Sequence, residues 1–425
     1  MKLEEKAIEI LKEPICNNCL GRLLAAGLLS GMTNEERGKI VRSYVAFLLD
    51  SGEKADVYMN NFYGYKFRNL KVTLQKPEKC KICKNFFREK LEEKTEEVVR
   101  KLKEVEFATF LIGTVPSNEM ANEEEKLQDK IGADFSEPVK TEINREIGKL
   151  VEQKTEKTFS SKNPDVTAIL DLQNNLIRTQ IRSVYVFGKY QKLLRGIPQT
   201  KWVCHNCNGK GCIACKGTGK LYKTSVQEEI EKSFLKAADA KKSTFHGAGR
   251  EDIDARNLDW RPFIIELVKP MKRKIDLKKI QTIANKNKKV KVKNLKFADK
   301  DFVNKIKFAK IDKTYAAEVI FLKNIDKNKL KELKKLNNKM IMQQTPTRVV
   351  HRRANIMRRR TLKQISWKLE TKRKVIFTIK GESGLYIKEL ITGDQGRTEP
   401  NISEILGNKV KKISLDVIKI HTKKL

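Results

Sequence analysis

The sequence predicts an α+β protein in two parts, and three observations carry that prediction. Apolar runs in the first 200 residues alternate between strand-like and helical spacing, the pattern of an α+β module of ferredoxin-like kind. The last 200 are richer in strand-like runs than in helices, which points to a mixed, mostly antiparallel sheet with flanking helices. All eight cysteines fall in CxxC pairs, Cys16/Cys19, Cys80/Cys83, Cys204/Cys207 and Cys212/Cys215. At 425 residues the chain is long enough for two or three domains with their own cores.

Taken in order, "MKLEEKAIEILKE" reads as an amphipathic helix and lacks the apolar core and cleavage site of a signal peptide. Residues 33–50 predict a second helix, with Thr33 and Glu36 as a capping box and Ile40, Tyr44, Phe47 and Leu48 on one face. Val57, Phe62 and Tyr65 form short apolar patches before the second CxxC pair. "VEFATFLIGTV" at 105–115 reads as a buried strand ending in a glycine turn. Ser136 and Pro138 start a helix that carries Ile143, Ile147, Leu150 and Val151, and "DVTAILDL" at 165–172 is another strand. The cysteine-rich stretch 201–216 reads as a junction, leaving a first part over 1–200 and a second over 217–425. After it come a helix, "SVQEEIEKSFLKAA", and a loop holding "GREDIDAR" at 249–256. The strand-like runs "FIIELV", "YAAEVIFL" and "KVIFTIK" follow, the last with Val375, Phe377 and Ile379 on one face. "GESG" at 381–384 then turns into "LYIKELI". Residues 269–310 and 323–340 are Lys-rich but keep apolar periodicity, so they are expected to fold with basic surfaces.

Lys and Arg number 90 against 53 Asp and Glu, a formal charge of +37. Such a surplus attracts polyanions, nucleic acid first and an anionic membrane surface second. Solvated lysine faces account for part of it, and less well for arginine clusters such as "TPTRVVHRRANIMRRR" at 345–360. No run approaches the roughly 20 apolar residues that span a bilayer, so a soluble, cytoplasmic protein is expected. There thiols stay reduced, and CxxC pairs favour zinc over disulfides. "CHNCNGKGCIACKGTGK" sets two such turns within twelve residues, and Gly209, Gly211, Gly217 and Gly219 let backbone amides approach the sulfurs. Cys16, Cys19, Cys80 and Cys83 make the second quartet, with no other cysteine left to complete either half. His205 reads as a spacer. Both quartets are expected to be closed structural zinc sites, with no open position for catalysis.

"FHGAGREDIDARNLDWRPFIIEL", "KTYAAEV", "QTPTRVVHRR" and "SGLYIKELITGDQGRTEPNISEILG" resemble the archaeal tRNA pseudouridine synthases of the THUMP-containing, zinc-bearing family. The likeness continues upstream through "SVYVFGKYQKLLRGIPQTKW" and the N-terminal CxxC turns, and covers most of the chain. It implies a pseudouridine synthase core behind a zinc-stapled THUMP-type domain that grips tRNA near its acceptor end. The implied activity is isomerisation of uridine 54, uridine 55 or both in the T-loop. The family's essential aspartate falls at Asp252, with Glu251 and Asp254 as neighbours. Its basic partner falls at Lys388, its stacking tyrosine at Tyr315, and its apolar pocket positions at Ile387 and Leu415. Arg250, Arg348, Arg352 and Arg353 are candidate phosphate contacts, since guanidinium forks suit them. Asp259 and Trp260 stand before "RPF" where the family commonly has glycines, which leaves the local turn geometry open.

The implied chemistry breaks the N1–C1′ bond, turns the uracil and joins C5 to C1′, and it needs no cofactor or small-molecule cosubstrate. A carboxylate can attack the sugar carbon, add to the base or remove the 2′ proton. The base must first be flipped into a pocket. A THUMP-bearing methyltransferase or thiolase would need a nucleotide site, but no GxGxxG after a strand and no P-loop is present. A non-catalytic zinc-containing RNA-binding or ribosome-assembly protein fits composition and cysteines equally well. Asp252, Tyr315 and Lys388 speak against it.

Overall fold

The structure, a computed structural model, describes residues 1–25, 31–134 and 136–422. It divides into two compact units, Met1–Arg182 and Ser183–Leu425.

The first unit contains α1 (Leu3–Leu11), α2 (Asn17–Leu23), α3 (Asn34–Asp50), α4 (Phe86–Glu89), α5 (Leu91–Leu102), β1 (Thr109–Val115), α6 (Asn118–Ile131), α7 (Val139–Thr155), β2 (Thr158–Phe159), β3 (Val166–Asp171) and β4 (Leu176–Ile181). Its sheet runs β2-β1-β3-β4, with β1 parallel to both its neighbours and β4 antiparallel to β3. On α7, Ile143, Ile147 and Val151 are buried as their spacing predicts.

The capping box at Thr33 and Glu36 forms, but the expected apolar face of α3 points the other way. Ile40, Tyr44 and Phe47 are 49%, 48% and 75% exposed, while Arg37, Gly38, Arg42, Val45, Ala46 and Leu49 are buried. The reason is a close crossing of α2 and α3. A Cβ on Gly38 would lie 1.9 Å from the Asn17 carbonyl oxygen, and one on Gly21 would lie 1.8 Å from that of Asn34. Only the small-residue face allows that approach. Arg42 enters the core because its Nε donates to Asn17 Oδ1 at 2.8 Å and its Nη1 to the Asn61 carbonyl at 2.8 Å.

The second unit contains β5 (Val184–Lys192), α8 (Val226–Ala238), β6 (Lys242–Gly247), β7 (Arg256–Val268), α9 (Leu277–Ala284), β8 (Val290–Ala298), α10 (Lys300–Phe308), β9 (Lys313–Phe321), α11 (Lys327–Glu332), β10 (Lys339–Gln344), β11 (Met357–Thr371), β12 (Lys374–Gly381), α12 (Ile387–Thr392), β13 (Thr398–Glu399), α13 (Ile402–Leu406) and β14 (Val410–Ile420). The sheet order is β13-β10-β11-β12-β9-β14-β7-β5-β8, with β6 paired to β7. Its pairings are antiparallel except β14 on β7, which are parallel through Asp416↔Arg256 and Val417↔Asn257. The Lys-rich stretches fold as expected, burying Ile280, Val290, Val292, Val303, Ile306, Leu330, Leu333 and Leu336.

Two expectations about organisation change. The division falls at Arg182/Ser183 rather than near 200, because β5 pairs with both β7 and β8 and so belongs to the second sheet. The cysteine stretch 201–216 is then an insertion between β5 and α8 inside the second unit, not a junction between units. Asp259 and Trp260 make no turn; both lie within β7.

Candidate active site and metal centres

The short parallel contact between β14 and β7 is a seam in the second sheet, and the loop 248–255 joins β6 to the start of β7 beside it. A cavity of about 640 Å³ opens there. Its lining includes Asp252, Tyr315, Ile387, Lys388 and Leu415, so one hollow gathers residues from a loop, two strands and a helix. Ile387 and Leu415 are buried in its wall.

The three acids of "GREDIDAR" have three destinations. Glu251 turns inward, where its carboxylate meets Arg261 Nε at 3.0 Å, both side chains fully buried. It also accepts the Tyr190 hydroxyl at 2.9 and 3.0 Å. Asp252 stays at the cavity, with Arg348 Nη1 at 2.8 Å from Oδ1 and Lys388 Nζ at 3.5 Å from Oδ2. Asp254 is the outermost, its side chain 63% exposed and 2.7 Å from Lys388 Nζ. Burial tends to raise the Asp254 carboxyl, but its bond to Lys388 wins and the pKa is lowered.

The polar partners therefore differ in part from those expected. Lys388 reaches Asp252 but lies closer to Asp254. Arg348, expected on phosphate, bonds Asp252 and also donates through Nε to Glu389 of α12 at 2.6 Å. Its pKa is raised: burial opposes the charge, and the bond to Glu389 outweighs it. Arg250 sits over the Trp202 ring at 5.2 Å, and Arg353 donates to the Tyr386 hydroxyl at 2.9 Å. Both line the cavity, as do Arg358 and Arg360. The Arg352 side chain lies outside the described residues. On β9, burial pushes the Tyr315 phenol up to about 12. Lys313, on the same strand, is pushed down to about 8 by burial, with the Arg261 charge adding to the effect.

The cysteines form two quartets, Cys16, Cys19, Cys80 and Cys83, and Cys204, Cys207, Cys212 and Cys215, each with its sulfurs within 4.8 Å of one another. In the first, Cys16 and Cys83 Sγ are 3.5 Å apart. In the second, Cys212 and Cys215 Sγ are 3.7 Å apart, Cys207 and Cys215 Sγ 3.8 Å, and Cys204 and Cys212 Sγ 3.9 Å. Tetrahedral bonds of about 2.3 Å to one Zn²⁺ place sulfurs about 3.8 Å apart, so the donor set and spacing fit that ion. The Gly211 and Gly219 amides donate to Cys207 and Cys215 Sγ at 3.2 and 3.1 Å, each four residues after its acceptor. His205 is exposed and joins neither quartet.

The family model "Pus10, C-terminal" matches residues 185–421, and "Pus10 THUMP domain, archaeal" matches 95–171. A curated relative from Methanothrix thermoacetophila, named tRNA pseudouridine synthase Pus10, is 39% identical across 97% of this chain and 93% of its own. The chain belongs to the Pus10 family. A second relative of that name, from Methanocaldococcus jannaschii, is 39% identical over 98% of this chain and 94% of its own. A solved pseudouridylate synthase is 14% identical and covers 65% of this chain and 82% of its own at a TM-score of 0.20. That likeness is too weak to carry an argument.

The Pus10 C-terminal match begins within three residues of the structural division at Ser183. The cavity also depends on residues the sequence reading gave no role. Lys192, fully buried, donates to the Asp252 and Ile253 carbonyls at 3.0 and 2.9 Å. Arg195 donates to the Asp254 and Leu415 carbonyls at 2.8 and 2.7 Å, which fastens the loop to β14. Gln199 bonds the Tyr190 hydroxyl at 2.8 Å and the Gly249 carbonyl at 2.9 Å. All of these fall in "SVYVFGKYQKLLRGIPQTKW". The available signal was a polar set inside an otherwise strand-like stretch, which local spacing could not connect to a loop some sixty residues away.

Proposed function

We propose that this chain isomerises uridine to pseudouridine in the T-loop of tRNA, at position 54, position 55 or both, and that Asp252 is its catalytic carboxylate. The observation that carries the reading is the shared cavity of Asp252, Tyr315 and Lys388, in a chain of the Pus10 family. Its volume suits a single extruded nucleotide, within the range of ordinary ligand pockets of about 300–1,000 Å³.

In this reading the target uridine leaves its stack and its base lies against the Tyr315 ring. Asp252 engages the ribose or the base as the N1–C1′ bond breaks. The freed uracil turns, C5 bonds to C1′, the proton leaves C5, and N1 ends protonated. Atoms balance without cofactor or cosubstrate. With its pKa near 12, Tyr315 keeps its phenolic proton near neutrality and acts as a hydrogen-bond donor. Arg348 and Lys388 fix the Asp252 carboxylate from two sides, and Ile387 and Leu415 give the base an apolar wall. The arginines at the mouth meet the phosphates flanking the target. Both cysteine quartets hold structural Zn²⁺, four thiolates leaving no open position for a reactant. The expected setting is the cytoplasm, where tRNA is the partner.

The test incubates the full chain with unmodified tRNA, without cofactor, and maps pseudouridine by position. Asp252→Ala is expected to abolish isomerisation while tRNA binding persists. Unchanged isomerisation in that variant would exclude Asp252 as the catalytic group. An inactive wild-type chain that binds tRNA tightly would favour a binding protein instead.

A further inference from the structure

The second cysteine quartet is neither part of the cavity nor remote from it. Trp202, two residues before Cys204, lines the cavity and carries the Arg250 guanidinium over its ring. It also meets Tyr222 edge-on at 5.6 Å. The base of the knuckle closes through a Val203↔Lys220 bridge, with the Cys204 amide bonded to the Gly219 carbonyl at 2.9 Å. The knuckle is thus a braced projection rooted at the cavity rim.

Its surface is one-sided in charge. From Gln199 to Thr224 there is no Asp or Glu, and Lys201, Lys210, Lys216, Lys220 and Lys223 lie in that stretch. Four of these lysines are exposed, and Lys220 pairs with Glu228 at 2.6 Å. Even against the formal −2 of Zn²⁺ with four thiolates, the stretch stays positive. Ile213 is 98% exposed, and at the base of the knuckle Val203 and Leu221 are 49% and 44% exposed. A single exposed isoleucine is ordinary. This one is held on a rigid turn between Lys210 and Lys216.

We propose that the knuckle is an RNA-docking arm that grips the strand flanking the target uridine. Lys201, Lys210, Lys216 and Lys223 meet its phosphates, Ile213 packs on a ribose or base face, and Trp202 with Arg250 continues that surface into the cavity. Cations around an apolar contact, on a scaffold that needs no rearrangement, match what a flexible single-stranded segment requires. The naming of tRNA as the RNA rests on the proposed function; the docking surface itself does not.

The experiment uses the full chain with two variants, K210E/K216E carrying Ile213→Asp, and the milder K210Q/K216Q. K334E/K335E, charge reversals at two exposed lysines beyond β9, is the control. The readouts are Kd for unmodified tRNA across a salt series, zinc content per chain, and KM and kcat. The triple variant is expected to raise Kd tenfold or more and K210Q/K216Q severalfold, with the salt slope falling by about 2 in each. Zinc content and kcat at saturating tRNA should stay at wild-type values. A Kd within twofold of the K334E/K335E control for both variants would overturn the docking arm. Wild-type isomerisation with unchanged Kd in the variants sinks this inference alone. A wild-type chain that binds tRNA but never isomerises it sinks the catalytic reading, and the Kd comparison still decides the arm.

Discussion

Arg348 is the residue whose removal best separates chemistry from stability. It joins two carboxylates, Asp252 at 2.8 Å and Glu389 at 2.6 Å. Their side chains are 29% and 5% exposed, and that of Arg348 is 36% exposed. A charge-assisted hydrogen bond contributes about 1.5–3 kcal/mol. Solvent at the cavity mouth screens the Asp252 bond, so about half of that is a fair expectation. If the bond fixes Asp252 for reaction, Arg348→Met should lower kcat roughly three- to twelvefold, at about 1.4 kcal/mol per decade. Glu389 responds differently, because it is left buried without its cation. That costs about 3 kcal/mol, equivalent to a fall in Tm of about 6–12 °C for a unit of this size. Glu389→Gln in the Arg348→Met background removes the orphaned charge, so the double variant should recover most of the lost Tm and none of the lost kcat. Tritium release from C5 of uridine under single-turnover conditions measures the chemical step, and thermal unfolding measures the other. Either kcat within twofold of wild type in Arg348→Met, or recovery of kcat in the double variant, would refute the argument.

Other outcomes follow from the same structure. Elemental analysis should find about two zinc ions per chain, and Cys83→Ser or Cys207→Ser should each remove about one; a folded, metal-free preparation would contradict this. Gly38→Ala should destabilise the first unit by more than about 3 kcal/mol, since its Cβ would lie 1.9 Å from a backbone oxygen. Gly148→Ala on α7, where a Cβ meets nothing within 4 Å, should stabilise by about 0.5–1 kcal/mol, and chemical denaturation checks both. Lys192 is pushed down to about 8 by burial, whereas an unfolded lysine titrates near 10.4. Between those values the unfolded chain binds more protons, so this group makes stability rise with pH across that window and adds no pH dependence below about 8, where both states are protonated. Lys192→Met should flatten that rise, and an unchanged stability–pH curve would show that the group is not depressed.

Short-range spacing made much of this protein legible in the sequence. Alternation at Val375, Phe377 and Ile379 gives a strand whose inward residues are all buried. The period of Ile143, Ile147 and Val151 gives α7, and the CxxC turns give the sulfur quartets. The resemblance supplied Asp252, Tyr315, Lys388, Ile387 and Leu415, which the fold brings to one cavity. The arrangement of charge around Asp252 was not legible. Arg348 and Glu389 come to it from distant parts of the chain, and Lys192 and Arg195 fix its loop from β5 and the turn beyond.

α3 draws the same line in one helix. Its cap and its extent follow from residues three or four apart, so the sequence alone determined them. Which face it buries depended on α2 approaching at Gly21 and Gly38, and backbone contact outweighed the burial of Ile40, Tyr44 and Phe47. Periodicity, caps and metal turns depend on neighbours the chain always has. Ion pairs across the seam, the unit boundary and the choice of buried face depend on partners that only the folded chain brings within a few ångströms, where Coulomb and contact forces act.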